Sequence, residues 1–413
     1  MQHLQKNNIL TDVQHGFRKQ RSCESQLIVT VHDIAQNLAK KNQVDTVLLD
    51  FSKAFDKVPH QRLQHKLHYY GVRGSTLNWI QSFLSDRTQR VAIEGVQSTP
   101  APVTSGVPQG TVLGPLLFLL YINDMPDVVK NSKVKLFADD SLLFRNISNQ
   151  QDQMLLQQDL EALEKWEQEW QMEFNPSKCV VMNIMPNKNK ILLPSNYHLH
   201  GQTLETTTES KYLGVTITSN LSWGRHVETA AAKGNRTVGF LRRNFKECTP
   251  KVKAATYITM VRPTLEYAST VWNPHEQQHN NLLESVQKRA ARYVHNNYRE
   301  KEPGTVTNML TNLGWKSLEE RRHNSRLAMM FKIKNDMVGI DKTAFLKPSD
   351  TRTRGNRIHQ EQDYHPSLSH SFFPRTTSEW NKLPISTTSA PSLESFMSRL
   401  GGSRALQPST SLP

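Results

Sequence analysis

Apolar positions along the chain follow two rhythms, the 3.6-residue period of helices and the short continuous run of buried strands. Between Ser25 and Lys41, the residues Leu27, Ile28, Val31, Ile34, Ala35 and Leu38 share one face and predict an amphipathic helix. The run Thr46 to Asp50 (TVLLD) predicts a buried strand that ends in a carboxylate. After Pro59, Leu63, Leu67 and Tyr70 predict a helix stopped by Gly71, with a further helix over 75–84 and a strand over 90–93. The glycine-proline turn Thr104 to Gly110 feeds an apolar stretch, Val112 to Ile122, of buried-helix length. Strands over 133–137 and 142–144 flank Ala138, Asp139, Asp140 and Ser141, so two adjacent acids occupy a hairpin tip. A helix over 150–174 and strands over 178–184 and 211–217 complete this half.

Beyond Ser219 the pattern becomes helical and basic, with segments over 225–245, 252–267, 282–298 and 318–335. From Pro348 the chain turns to Ser, Thr, Pro and Arg with scattered aromatics, a composition that predicts a poorly ordered extension. A length of 413 residues exceeds what one core supports. Three regions follow as the expectation: 1–218, mixed α/β; 219–347, all-α and basic; and 348–413, the extension.

Charge sharpens this division. Residues 1–218 carry 22 basic and 21 acidic side chains, whereas 219–413 carry 29 and 16, so the second half holds +13 of the net +14. Such a surplus attracts a polyanion. Three scattered cysteines supply neither a disulfide framework nor a CxxC zinc site. The opening residues lack a signal-peptide block, and Val112 to Ile122 is about half a membrane span. The expectation is an intracellular protein of the nucleus or cytoplasm, not secreted and without a membrane partner. Oligomeric state is not legible.

One acid ending a buried strand and a pair at a hairpin tip would repel unless a cation sat among them. Oxygen-only donors favour Mg²⁺ or Mn²⁺, and two such ions can clamp the attacking and leaving oxygens of a phosphoryl transfer. Taken singly, a strand-end Asp is usually a cap and Asp-Asp a polar turn. Their order along the chain is more specific. Residues 47–58 (VLLDFSKAFDKV), 105–115 (SGVPQGTVLGP) and 137–140 (FADD) resemble the ordered motifs of reverse transcriptases, with the nearest likeness to LINE-type, jockey-like non-LTR retrotransposons. Residues 174–178 (FNPSK), 211–215 (KYLGV), 261–267 (VRPTLEY) and 373–384 (FPRTTSEWNKLP) are similar to that group as well.

The resemblance implies an α/β polymerase palm with partial fingers over 1–218, then a helical basic thumb over 219–347. It implies an RNA-directed DNA polymerase, a nucleotidyltransferase that adds dNTPs to a DNA primer on an RNA template with two Mg²⁺ or Mn²⁺ ions. Asp50 and Asp139 would be the bridging ligands and Asp140 the third acid. Asp56 competes with Asp50 but lies six residues past the strand end. Phe55 matches the ring that excludes a 2′-hydroxyl, with a core aromatic as the other reading. Gly106, Pro108, Gln109 and Gly110 would approach template and nucleotide, or form a plain helix-leading loop. Lys178 would assist departing pyrophosphate or be a solvated turn lysine. Tyr212, Leu213 and Gly214 resemble a primer grip, or a packed strand. Arg236, Arg242, Arg243, Lys246, Lys251 and Lys253 are phosphate-contact candidates, though charged helix faces are most often simply solvated.

A full element of this kind carries an endonuclease and the opening of the fingers before His15, so the expectation is an N-terminally truncated chain. An RNA-dependent RNA polymerase shares the palm but must accept the hydroxyl that Phe55 should exclude. A non-catalytic remnant that only binds nucleic acid is the rival from another class.

Overall fold

The computed structural model describes residues 2–185, 193–347, 357–359 and 366–403. The chain divides into two compact units, one of Met1–Gln26 with Lys41–Leu213 and one of Leu27–Lys40 with Gly214–Pro413. The expected boundary at 218 thus falls five residues late, and the 27–40 helix, expected with the first region, belongs to the second.

The first unit is built on a sheet of β1 (Gln43–Leu49), β2 (Lys133–Phe137), β3 (Asp140–Ile147), β4 (Val180–Ile184) and β5 (Glu205–Thr206), in the order β5-β4-β1-β3-β2. Strand β1 is central, antiparallel to both neighbours and buried along almost its whole length, which explains the apolar run at its end. Its register sets Gln43 opposite Ile147 and Leu49 opposite Ser141. Strands β2 and β3 form a hairpin whose last pair is Phe137 with Asp140. Helix α1 (Cys23–Ala39) straddles the division at Gln26, while α2 (His60–Tyr69), α3 (Gly74–Leu84), α4 (Leu113–Tyr121) and α5 (Gln150–Trp170) accompany the sheet. The core joins Val47, Leu49, Phe118, Leu136, Leu143, Leu156, Leu160 and Leu163. Helix α5 starts where the Asn149 side chain accepts from the Asp152 N–H at 3.1 Å, a cap that fixes its first turn.

Asp45, Lys66, Asp159 and Glu167 are ionisable side chains buried inside this unit. Asp45, within β1, accepts hydrogen bonds from Gln43 Nε2, Asn183 Nδ2 and Tyr197 Oη, each at 2.7 Å. Burial pushes this carboxyl up and the three donors push it back down. Lys66, on α2, lies over the Trp170 ring at 3.7 Å and ion-pairs with Asp124 at 2.5 Å. Burial lowers its ammonium to about 8 against the pull of Asp124.

After its 27–40 segment the second unit resumes with β6 (Val215–Thr218) and continues through α6 (Gly224–Asn244), α7 (Pro250–Thr256), a π-helical turn (Tyr257–Val261), α8 (Arg262–Glu266), α9 (Gln277–His295) and α10 (Leu318–Lys334). Gly234 on α6 permits close helix approach, since a Cβ there would meet Leu265 at 3.0 Å and Val286 at 3.1 Å. The helix expected over 252–267 is broken because Pro263 has no N–H to continue the α pattern, and the turn before it widens.

The expected poorly ordered extension needs correction. Residues 366–403 contain α11 (Phe372–Trp380) and α12 (Leu393–Ser403). Trp380 and Phe396 are buried, and Phe396 stacks on Phe331 of α10 at 4.8 Å. Glu379 bonds Arg326 Nη2 at 2.5 Å and pairs with His323 at 3.2 Å and Arg375 at 3.6 Å. A few aromatics and one carboxylate at the right spacing offset an otherwise polar composition. The remainder of that extension, 348–356, 360–365 and 404–413, lies outside the described residues.

Candidate active site

Asp50 follows directly on β1, where the chain is held from both sides. The Asp50 carbonyl accepts from Asn175 N–H at 2.7 Å, and Ser52 N–H donates to the Glu173 carbonyl at 2.7 Å. The Phe51 and Phe174 rings stack at 4.3 Å beneath them. This clamp brings Lys178 to the site, its Nζ 3.2 Å from Asp50 Oδ2.

Asp139 and Asp140 come from the β2–β3 hairpin. Because Leu49 faces Ser141, the next positions outward on β1 and β3 are Asp50 and Asp140. Asp139 lies in the two-residue turn with Ala138, whose φ of 54° is left-handed. That turn is pinned by a residue the sequence reading did not single out. Gln14 Oε1 accepts from Ala138 N–H at 2.9 Å and from Gly16 N–H at 2.7 Å, and Gln14 Nε2 donates to the Ala138 carbonyl at 3.3 Å. Gly16 is required by proximity: a Cβ would stand 2.3 Å from Ala138 N.

The three acids feel one another. Desolvation and then the charges of Asp139 and Asp50 push Asp140 up to about 6. Asp139 is raised by desolvation and by Asp50, against its own backbone hydrogen bond. Among the described residues no three Asp, Glu, His or Cys side chains are already drawn into a ligand cage. The donor set still fits a hard divalent cation, being three carboxylates on adjacent strand ends whose mutual repulsion a cation would relieve.

The glycine-proline turn wraps the other competitor. Gly106 adopts φ +91°, and a Cβ there would lie 2.7 Å from the Asp56 carbonyl. Gln109 Nε2 donates to Asp56 Oδ1 at 3.0 Å, and Ser105 Oγ donates to the Asp56 carbonyl at 2.8 Å. Asp56 is therefore engaged in positioning this turn. Gly110 is also left-handed at φ +76°, and the Pro108 carbonyl accepts from Thr111 Oγ1 at 2.7 Å. Residues 106–109 line a cleft of about 680 Å³ together with Lys53, Lys57 and Arg87. Phe55 stacks on the buried Phe118 ring at 4.4 Å while its carbonyl accepts from Val107 N–H at 2.8 Å, so core packing holds the ring in place.

Tyr212 is buried, with its Oη accepting from Gln26 Nε2 at 3.3 Å. Leu213 has φ 45° and Gly214 φ +83°, a tight bend where the two units divide. Of the basic candidates, Arg236, Arg242, Arg243, Lys246 and Lys251 are exposed, and Arg242 lies over the Tyr298 ring at 4.4 Å. Lys253 is the exception and needs correction: only 5% exposed, it directs its ammonium over Tyr293 at 5.7 Å and so is withdrawn from any phosphate.

A strand-end carboxylate beside a two-acid hairpin turn, on a five-stranded sheet with helices, is consistent with a polymerase palm fold. The reverse transcriptase (RNA-dependent DNA polymerase) family matches residues 1–217, and the chain belongs to that family. Within it the likeness is to jockey-like non-LTR retrotransposons. The probable RNA-directed DNA polymerase from transposon BS of Drosophila melanogaster is 28% identical, over 70% of this chain and 33% of the relative. The RNA-directed DNA polymerase from mobile element jockey of Drosophila funebris is 30% identical, over 68% of this chain and 31% of the relative. The chain thus spans about a third of the length of the curated relatives it matches. A telomerase from Candida tropicalis, solved with a TWJ fragment of telomeric RNA, aligns over 91% of this chain and 52% of its own at 9% identity. Its TM-score of 0.40 is too low to carry a functional argument. The family is generally divalent-metal dependent. Among the described residues no helix is long and apolar enough to cross a membrane.

Proposed function

We propose that the chain transfers a deoxynucleotide from a dNTP to a primer 3′-hydroxyl on an RNA template. The bond from the primer oxygen to the α-phosphorus forms as the bond to pyrophosphate breaks. The observation that carries this reading is the β1–β3 register, which sets Asp50 beside the Asp139–Asp140 turn. Asp50 and Asp139, supported by Asp140, would hold two Mg²⁺ or Mn²⁺ ions, which when bound lower the charge on the attacking and leaving oxygens. Lys178, already at Asp50, offers a cation to the departing pyrophosphate. Phe55, fixed against Phe118, presents a rigid edge to the sugar and disfavours a 2′-hydroxyl. Tyr212, Leu213 and Gly214 hold the primer end, and the exposed arginines and lysines of the second unit contact backbone phosphates. This work takes place inside the cell, in the nucleus or cytoplasm.

Primer extension on an RNA template tests the proposal, with dNTPs set against NTPs. Extension with dNTPs that disappears in Asp139→Asn, while template binding survives, supports it. Salt-sensitive RNA binding by the unmodified protein without extension at any Mg²⁺ or Mn²⁺ concentration overturns it.

A further inference from the structure

The outer face of α3 carries a column of flat groups. Trp79 and Phe83 stand one helical turn apart, their rings 5.7 Å between centroids with planes 12° apart. Arg87, just past the helix end, lays its guanidinium over Phe83 at 5.4 Å. The adjacent face of α3, about 100° round the helix, buries Ile80 and Leu84, and Phe83 is itself half-buried against the core, which holds the column in place. Trp79 is 59% exposed, a large apolar surface to leave in water. Its exposed neighbours on the helix are Ser75, Thr76, Asn78 and Ser82. A protein partner would need a broader apolar patch than two rings set among hydroxyls and an amide. An unpaired base needs only a flat face with a cation near its phosphate.

The column is also continuous with the cleft at the glycine-proline turn. Arg87 lines that cleft along with Thr88, Gln89 and Gln109. A strand leaving the cleft past Arg87 would reach the exposed Trp79 ring, which Phe83 supports from behind. We infer that the exposed Trp79 ring, backed by Phe83, is a stacking platform for unpaired bases of the template strand, with Arg87 as its phosphate-side hinge at the cleft. This rests on the polymerase reading, because it takes the cleft as the place where the template is copied.

Fluorescence anisotropy measures the platform directly, comparing a primer–template duplex that has a single-stranded template overhang with a blunt duplex of the same sequence. Base stacking on an aromatic ring implies roughly 5- to 150-fold weaker overhang binding in Trp79→Ala. Blunt-duplex binding should be unchanged, and Trp79→Phe should recover most of the loss. The inference is overturned if unmodified protein binds both duplexes equally. It is also overturned if Trp79→Ala leaves overhang binding intact, as a protein-docking role would predict, or weakens both duplexes alike. Extension activity is scored separately, so a chain that binds the overhang without extending it counts against the polymerase reading while leaving the platform standing.

Discussion

Gly16→Ala adds one methyl group some distance along the chain from the acids and should nevertheless disable them. The new Cβ would stand 2.3 Å from Ala138 N and 3.0 Å from both Phe137 C and Gln14 Oε1. Two of those neighbours are backbone, so no flexible side-chain end can absorb the overlap. Overpacking of this kind costs about 1–3 kcal/mol. Displacing Gln14 also loosens its bonds to Ala138 N–H and Gly16 N–H, each with a net worth of about 1 kcal/mol. The unit should still fold, since typical domains hold about 5–15 kcal/mol in reserve. The turn carrying Asp139 must shift, however, and a displacement of about 1 Å at a reacting site can cost about 100-fold in rate. The assay pairs urea unfolding with single-turnover primer extension normalised to folded protein. The expected pattern is a stability loss of a few kcal/mol and an extension rate per folded molecule down about 100-fold, reproduced more mildly by Gln14→Ala. Extension per folded molecule within twofold of the unmodified protein, despite a measurable stability loss, would refute the idea that this loop positions the acids.

Phe55→Val should narrow the preference for dNTPs over NTPs by tenfold or more in competitive extension. Because Phe55 stacks on Phe118, the same change should cost about 1–3 kcal/mol in urea unfolding. Burial alone would raise Glu379, but the His323 hydrogen bond and the Arg326 charge outweigh it and hold the carboxyl at about 2. A depressed folded-state value gives stability that is complete above the ordinary glutamate range and is lost as pH falls toward 2, worth up to about 3 kcal/mol. Urea midpoints of the unmodified protein and Glu379→Gln should therefore differ most near pH 7 and converge near pH 2; a constant gap contradicts the assignment. Alanine at Arg236 and Arg243 together should flatten the salt dependence of duplex binding, by about 0.9 in log–log slope per lost phosphate contact. Lys253→Ala should leave that slope unchanged and lower stability instead, because Lys253 is packed over Tyr293.

Local pattern revealed most of the elements because apolar spacing along one segment is enough to place a helix or a buried strand. The 46–50 run falls on β1, which starts three residues earlier and ends one residue before Asp50, and the helix expected over 112–122 is α4 at 113–121. Asp45 escaped notice because a charged residue seldom lies within a central strand, and its three partners come from positions as distant as Tyr197. Gln14 is similarly invisible, since the bonds that give it meaning reach 124 residues along the chain. Lys253 was misread because a lysine on a basic helix looks solvated until the Tyr293 ring is placed beside it. The carboxyl-terminal helices were hidden by composition, which averages away the spacing of Phe372, Trp380 and Phe396. The acids were legible as motif residues. Their juxtaposition required the β1–β3 register.

The central claim is that Asp50, Asp139 and Asp140 act together as the ligands of divalent cations. Mn²⁺ titration followed by electron paramagnetic resonance, on the protein bound to primer–template and a dNTP, tests it most directly. Two bound Mn²⁺ ions per chain are expected, with at least one lost in each of Asp50→Asn and Asp139→Asn while primer–template binding persists. Mn²⁺ binding in either variant that matches the unmodified protein in number and affinity would contradict the account.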